Sequence, residues 1–345
     1  MCVQATCLPT RPCPWQFPHN AELAVMDPSL IEAGLALTWA LDDRFKLPHK
    51  HTLSQRDVPG MTRALIPLLK GAGVRAISIG ANDGSTPPDV PPAFLWKDNA
   101  TSTEIVGLLN WPGYGHWNPK GQQVIEPVDE GSFDPSAFLQ HFGQGDTPMV
   151  FGRKVDGSGA SHALVYNFNG DNAGPRKASD YVSVVQSIQH VFPNAKVMAS
   201  SFDDFTAAVA DEVKAGRQFL PVVTSELADT WIYGVPSDPQ KVARARVLNR
   251  AWAGAKERHL STSQMSTNQT STGQMSIPSP SAQSSSWVES VMADKVLLNA
   301  TRFALKFGEH TWCVDGQLVI HVDAGAISVF SGRLVERENG YGTDY

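Results

Sequence analysis

Four polar segments of the sequence carry the residue types that glycoside hydrolysis needs. They span residues 55–60, 169–172, 224–231 and 308–312, and together they hold carboxylates, an imidazole and tryptophans. In glycoside hydrolysis one carboxylate attacks or stabilises the oxocarbenium-like centre, and a second protonates the leaving oxygen. Tryptophan rings stack on sugar faces and bury their apolar side. These residue types therefore indicate carbohydrate chemistry.

The same carboxylates have a structural interpretation. Asp57 precedes a helical pattern that begins near Thr62, and Asp171 lies close to Pro175. Aspartate is common at helix N-caps and in turns because its side chain accepts hydrogen bonds from nearby backbone N–H groups. Composition alone favours caps and turns over catalysis.

Strands and helices alternate along the chain. Helices are predicted at 28–45, with Asp27 as N-cap and Pro28 in the first turn, and at 62–72, 179–191, 202–214, 240–255 and 287–307. Strands are predicted at 74–79, 104–109, 149–151, 162–168, 196–200 and 219–224, with a loop at 80–98. This alternation predicts βα units on a parallel sheet or barrel. Ligands of such folds bind at the carboxyl ends of the strands, where the polar segments are expected.

Composition excludes several classes of function. The chain has 345 residues, 42% of them hydrophobic, and a net charge of −6, so it lacks the basic surface that binds nucleic acid. It has no run of 18 apolar residues and no signal-peptide pattern, so we expect neither a membrane span nor secretion, and a cytoplasmic location by default. Three of the four cysteines lie in a Pro-rich leader, 1–18, predicted to be poorly ordered. A Ser/Thr/Gln tract at 260–286 predicts a disordered, low-complexity insertion.

Several motifs resemble glycoside hydrolase family 38, the α-mannosidases. The run Asp57-Val-Pro-Gly-Met-Thr-Arg-Ala-Leu-Ile-Pro-Leu-Leu-Lys-Gly-Ala-Gly73 is similar to the segment around the family's nucleophile. Asn169-Gly-Asp-Asn resembles the general-acid segment, and Asp229-Thr-Trp-Ile-Tyr-Gly resembles the sugar-site loop. Glu309-His310 resembles the late segment that carries a histidine metal ligand. The resemblance covers about residues 17–316, and its nearest branch carries Asp-Val-Pro-Gly-His and Glu-His-Thr-Trp-Gly motifs.

The resemblance implies roles for individual residues. Asp57 would be the nucleophile and a metal ligand, Asp171 the acid/base, and His310 a second ligand of a zinc ion. The implied sugar-binding residues are Asp229, Trp231, Tyr233 and Trp312. The implied fold is an incomplete seven-stranded β/α barrel of the glycoside hydrolase/deacetylase type.

The sequence departs from the family pattern at the metal site. The first-strand His-x-Asp, which supplies two zinc ligands, is absent, so we expect an N-terminal truncation and a half-built site. Met61 stands where the family has histidine, and a thioether cannot donate a hydrogen bond. Cys313, near His310, is interpreted as a buried free thiol in preference to a ligand. A His-x-Asp at His321 is interpreted as part of an ordinary strand in preference to a replacement ligand pair.

The sequence thus predicts a leader at 1–18, a barrel domain at 19–239, a helical hairpin at 240–316 and a tail at 317–345. The predicted function is metal-assisted, retaining hydrolysis of α-mannoside-like bonds, with a carbohydrate as partner and neither nucleic acid nor membrane. The alternative is a non-catalytic sugar-binding pseudoenzyme or a gene fragment of the same family. A deacetylase is disfavoured because no His-x-x-x-His metal pair is found.

Overall fold

The computed structural model describes the chain in segments. They are residues 16–57, 60–80, 87–91, 93–110, 149–153, 160–164, 177–191, 196–216, 220–227, 235, 239–268, 280–308, 318–323 and 326–331. The helices are α1 (Pro28–Phe45), α2 (Leu65–Gly71), α3 (Ala178–Val191), α4 (Phe202–Lys214), α5 (Pro239–Asn268), α6 (Pro280–Ala293) and α7 (Lys295–Lys306). The strands are β1 (Thr52–Arg56), β2 (Ala76–Gly80), β3 (Ala93–Asp98), β4 (Thr103–Asn110), β5 (Met149–Arg153), β6 (Ala160–Leu164), β7 (Val222–Val223), β8 (Leu318–Asp323) and β9 (Ala326–Ser331).

Helix α1 has the predicted bounds because its ends are well specified. The side chain of Asp27 accepts from the backbone N–H of Ser29 (2.9 Å), and Pro28 occupies the first helical position. Lys46 ends the helix in the left-handed conformation. The inward face of α1 is fully buried, including Leu30, Ile31 and Leu35, and packs in the main core. Removing such side chains from water supplies the main driving force for this element.

A mixed sheet organises the molecule, in the order β1-β2-β4-β3-β7. Strands β1, β2 and β4 are parallel, as predicted for βα units. The prediction of a loop over 80–98 is wrong at its end, because 93–98 forms β3 and pairs antiparallel with β4. Two buried aromatic side chains, Phe94 and Trp96, hold β3 in the core. The chain therefore has a mixed α/β architecture; the described strands do not show a seven-stranded barrel.

Strand β7 runs against the parallel strands. It pairs parallel with β3, which is antiparallel to β4, so β7 points opposite to β1, β2 and β4. Of the described residues 220–224 in the predicted strand 219–224, only Val222 and Val223 form a strand. Residues 224–227 consequently leave β7 at the opposite edge of the sheet from Asp57, contrary to the expected shared carboxyl edge.

The middle of the chain differs from the predicted pattern in its strands. β5 and β6 form an antiparallel hairpin instead of joining the parallel sheet, and 196–200 is not a strand. Helix α4 has the predicted bounds because Ser201 and Asp204 form a reciprocal capping box. Its apolar face joins a second core cluster with β6.

The C-terminal helices extend beyond their predicted bounds. In the structure α5 continues to residue 268 and α6 begins at 280, so both ends of the tract predicted to be disordered are helical; residues 269–279 lie outside the described part. The predicted single helix at 287–307 is two helices, because Asp294 interrupts it and caps α7. In the tail, β8 and β9 form an antiparallel hairpin.

The N-terminal boundary also differs from the prediction. Gln16 and Phe17, assigned to the leader, are buried, and Phe17 belongs to the main core. The phenyl ring of Phe17 lies so close to Gly34 of α1 that a Cβ there would approach it within 2.4 Å. Within the described part of the chain, burial therefore begins at Gln16 and Phe17, inside the range predicted as the leader. Among the described helices, none is both long and apolar enough to cross a bilayer.

Candidate functional site

Asp57 directly follows β1, at the carboxyl edge of the three parallel strands. The last residues of these strands, Arg56, Gly80 and Asn110, are in register with one another. The backbone N–H of Asp57 donates to the carbonyl oxygen of Gly80 (2.9 Å), and its φ angle is 70°. Positive φ is uncommon for residues other than glycine, and such strained positions occur at functional sites. Asp57 therefore lies beyond the end of β1, a buried strand that was not predicted from the sequence.

The capping interpretation of Asp57 is wrong. Helix α2 begins at Leu65, and its N-cap position is Ala64, which makes no side-chain capping bond. The local backbone at Asp57 is fixed by the bond to Gly80 instead.

The buried side chain of Arg56 packs at the same strand ends. The guanidinium of Arg56 donates to the carbonyl oxygens of Gln55 (3.0 Å) and Ser78 (2.9 Å) and to the Ser78 hydroxyl (3.2 Å). It also lies over the ring of Phe202, 5.7 Å from its centroid. These bonds satisfy N–H donors of the guanidinium, whose charge would be costly to bury without partners. Gly80 is required there, because a Cβ would approach the Arg56 Cδ within 2.5 Å.

Residues 20–22 connect β1 with the end of α7. The Asn20 side chain accepts from the backbone N–H of Arg56 (2.9 Å), and the Gln55 side chain accepts from that of Ala21 (2.8 Å). The backbone N–H of Glu22 donates to the carbonyl oxygen of Gly308 (2.8 Å). Residues 20–22 thus link Gln55 and Arg56, which directly precede Asp57, to Gly308, which directly precedes segment 309–312.

Buried polar atoms accompany this bridge. Gln55 is fully buried, and its Nε2 has no hydrogen-bond partner among the described residues. The same holds for the His19 Nε2, whose ring Nδ1 lies 2.9 Å from the Asn20 carbonyl oxygen. Buried polar groups are nearly always paired with protein, water or ligand. The edge beside Asp57 thus retains hydrogen-bonding capacity that the described side chains do not use.

The loop after Asp57 is bonded to the start of segment 224–231. Met61 and Leu227 exchange two backbone hydrogen bonds (2.6 and 3.0 Å). Arg63 adds two more contacts, since its backbone N–H donates to the Glu226 carboxylate (2.5 Å) and its guanidinium to the Thr224 carbonyl oxygen (2.7 Å). Although β7 points away from Asp57, these bonds bring segment 224–227 to the loop that carries it.

Met61 has a structural role. Its side chain is 2% exposed and lies in the main core, and its backbone pairs with Leu227. The position where the family pattern has histidine is therefore filled here by a buried apolar side chain.

Asp98 closes the β3–β4 turn and receives Arg63. Its carboxylate accepts from the Thr101 hydroxyl (2.6 Å) and backbone N–H (2.9 Å), and the Arg63 Nε lies 3.4 Å away. The bonds from Thr101, followed by the Arg63 charge, lower the pKa of Asp98.

Most predicted site residues lie outside the described part of the chain. These are Asp171, Asp229, Trp231, Tyr233, His310 and Trp312, together with Cys313. The structure places Asp57 and the residues that flank segments 224–231 and 308–312. Gln55 and Arg56 lie in the polar segment 55–60, but no role was predicted for them or for Asn20, which reaches β1 only through the fold and has no local signal.

The predicted zinc site lies only in part within the described residues, which include Asp57 but not His310. Within the described ranges, no three His, Cys, Asp or Glu side chains gather as a metal site. Asp57 is the one predicted ligand found there, and a structural or catalytic zinc needs at least three protein ligands. No step of the chemistry below is therefore routed through a metal.

Two polar residues elsewhere in the described part, Asp203 and His49, have structural partners. Asp203 accepts from the His51 backbone N–H (3.1 and 3.0 Å) and the Thr52 hydroxyl (2.7 Å), which fixes α4 to the start of β1. His49 is exposed and pairs with Asp43. His321 lies within β8, which pairs with β9 and with none of the other described strands, so it does not fill a strand position beside β1.

Comparisons with known proteins find similarity at the level of structure. No protein-family model and no curated protein matches the chain. Among solved structures, it is similar to an α-mannosidase from Enterococcus faecalis V583 (TM-score 0.46, 14% identity, 86% of this chain and 32% of that one). It is also similar to a glycosyl hydrolase family 38 protein from Enterococcus faecalis (TM-score 0.40, 14% identity, 85% and 29%). The chain thus spans about a third of their length, and similarity at this level assigns neither family nor activity.

Proposed function

We propose that the chain forms part of a carbohydrate-processing domain of the family 38 kind, which hydrolyses α-mannoside-like bonds with retention. One observation carries the proposal: Asp57 stands in a strained conformation beyond the registered ends of three parallel strands. The bridge at residues 20–22 ties this strand end to Gly308, two residues before His310. The sequence resemblance supplies the reaction class.

The proposed reaction has two displacements. The Asp57 carboxylate attacks the anomeric carbon while the Asp171 carboxylic acid protonates the departing glycosidic oxygen. Asp171, now a carboxylate, then takes a proton from water, which attacks the same carbon and releases the sugar from Asp57. Retaining enzymes of this kind hold their two carboxyl groups about 5–5.5 Å apart, and we expect that separation here.

The surrounding residues would orient Asp57 and the sugar. The hydrogen bond from Asp57 to Gly80 and the buried Arg56 beneath it restrict the backbone at the nucleophile, which lowers the cost of reaching the reactive geometry. Segment 224–227, bonded to Met61 and Arg63, precedes the proposed sugar contacts, which are Asp229, Trp231 and Tyr233, with Trp312 from the other segment.

The alternative function is sugar binding without turnover. The burial of Met61, where the family pattern has histidine, favours it. In that case the same edge would bind a mannose-like ligand, and the carboxylates would serve as hydrogen-bond acceptors.

Hydrolysis of 4-nitrophenyl α-mannoside tests the proposal. The wild type should release nitrophenolate, and Asp57→Asn should lose at least about 10³-fold in kcat because the nucleophile is removed. Asp211→Asn, an exposed aspartate on α4, is the matched control and should keep full activity. Equal hydrolysis rates for wild type and Asp57→Asn would refute the proposal that Asp57 is the nucleophile of a glycosidase. Binding of mannose without hydrolysis would establish the alternative.

A further inference from the structure

A cleft lies between α1, the end of α2 and α6, away from Asp57. Its volume is about 560 Å³, within the range of small-molecule sites. The α1 wall consists of Glu32, Ala36, Trp39, Ala40 and Asp43, whose spacing places them on one helical face. His49, at another wall, precedes β1, whereas Asp57 follows it. The five residues of β1 separate the two places by roughly 16 Å.

An aromatic side chain lines this cleft in a fixed orientation. The Trp39 Nε1 donates to the carbonyl oxygen of Lys50 (3.0 Å). The Trp39 ring stacks on His49, with centroids 5.6 Å apart and planes 11° apart. His49 is held in turn by Asp43, at 2.7 Å between Nε2 and Oδ1. Because the ring is already held in place, less side-chain entropy is lost when a ligand binds.

The lining of the cleft is mostly apolar, and its three carboxylates are not balanced by a lysine or arginine among the described lining residues. Small and apolar residues form most of the lining, among them Ala36, Ala40, Ala72, Val288 and Met292. The carboxylates are Glu32, Asp43 and Glu289, and none of the described residues that line the cleft is lysine or arginine.

Two of these carboxylates have no direct partner. Asp43 pairs with His49, but Glu32 and Glu289 make no side-chain hydrogen bond or ion pair with the described residues. Burial raises the pKa of Glu32, and the charge of Lys256 opposes that effect. The Lys256 ammonium itself lies over the rings of Trp287 and Trp252, at 5.0 and 5.8 Å. The cleft thus holds a partly buried carboxylate, and the Trp39 ring follows it two turns along α1.

We propose that this cleft binds a small organic ammonium ion with an apolar body. The ammonium group would pair with Glu32, and the apolar body would reach along α1 to contact the Trp39 ring. The apolar body would cover the alanines of α1 and Met292 of α6. Neutral ligands of the same shape cannot form the ion pair with Glu32, and anions are repelled by the carboxylates.

Three ligands with one body and different charges test the proposal by calorimetric titration at neutral pH. Phenethylamine, as the ammonium ion, should bind at least about tenfold more tightly than 2-phenylethanol, and phenylacetate should not bind at concentrations up to about 10 mM. Glu32→Gln should weaken phenethylamine binding about tenfold, and Trp39→Leu should also weaken it. Glu257→Gln, an exposed glutamate on α5 outside the cleft, is the matched control and should bind like the wild type.

Several outcomes would overturn the proposal. They are equal affinity for the three ligands, no binding of phenethylamine at about 10 mM, and unchanged affinity in Glu32→Gln. Urea unfolding of Glu32→Gln should show no loss of stability, so weaker binding cannot come from unfolding. Phenethylamine should also bind Asp57→Asn as it binds the wild type, which separates this site from the proposed hydrolytic one.

Discussion

Replacing Gly80 with alanine perturbs the strand end that supports Asp57. The new Cβ would lie 2.5 Å from the Arg56 Cδ and 2.9 Å from its Nε, closer than packed atoms allow. Arg56 must move, and it then loses some of its bonds to Gln55 and Ser78. Two lost bonds from a charged donor correspond to roughly 2–4 kcal/mol of unfolding free energy.

Urea unfolding measures this effect, and Gly71→Ala is the control. A Cβ at Gly71, the last residue of α2, meets no atom within 4 Å. That variant should be unchanged or more stable by up to about 1 kcal/mol, since alanine favours helix. With a denaturant slope of about 3 kcal/mol/M, the midpoint of Gly80→Ala should fall by about 1 M. Equal midpoints for the two variants would refute the described packing of Arg56 against Gly80.

Three further predictions concern the helices. Thr301→Val keeps the shape of the side chain but removes the partner of the buried Trp252 Nε1 (3.0 Å), so it should cost about 1–3 kcal/mol in urea unfolding; an unchanged midpoint would contradict that bond. Asp294→Ala removes the cap that accepts from two backbone N–H groups of α7, and the expected loss is about 1 kcal/mol, with Asp294→Asn as the milder control. Burial raises the pKa of Glu32 above its ordinary 4.5, so the native state binds that proton more tightly than the unfolded state. The stabilisation of the native state by protonated Glu32 is therefore present at low pH and lost as pH rises through the raised pKa. The stability of Glu32→Gln relative to wild type should increase over that pH range. A difference in urea midpoint between the two proteins that does not change with pH would contradict this prediction.

Local signals predicted the elements that local residues specify. Helix α1 follows from Asp27, Pro28 and an apolar period, and α4 has a capping box at its start. Strand β3 escaped prediction because glycine and proline crowd the residues before it, which hides a short buried run. The direction of β7 depends on pairing with a distant strand, and two residues carry no signal for it.

The candidate site divides in the same way. Asp57 was singled out from its polar segment and the family resemblance, whereas β1 before it was not predicted, because four of its five residues, Thr52–Arg56, are polar. The contact of Arg56 with Gly80 depends on the register of two strands, and the bridge from Asn20 to Gly308 joins residues far apart in the chain. No local pattern contains either arrangement, so both required the fold.

Covalent labelling of the nucleophile tests the central proposal most directly. The protein is incubated with a slowly released fluorinated mannosyl donor, digested and analysed by peptide mass spectrometry. Retaining hydrolysis at this strand end predicts a mannosyl ester on Asp57 that is absent from the Asp57→Asn variant. An ester on another carboxylate, or an unlabelled protein that still hydrolyses the aryl mannoside, would contradict the assignment.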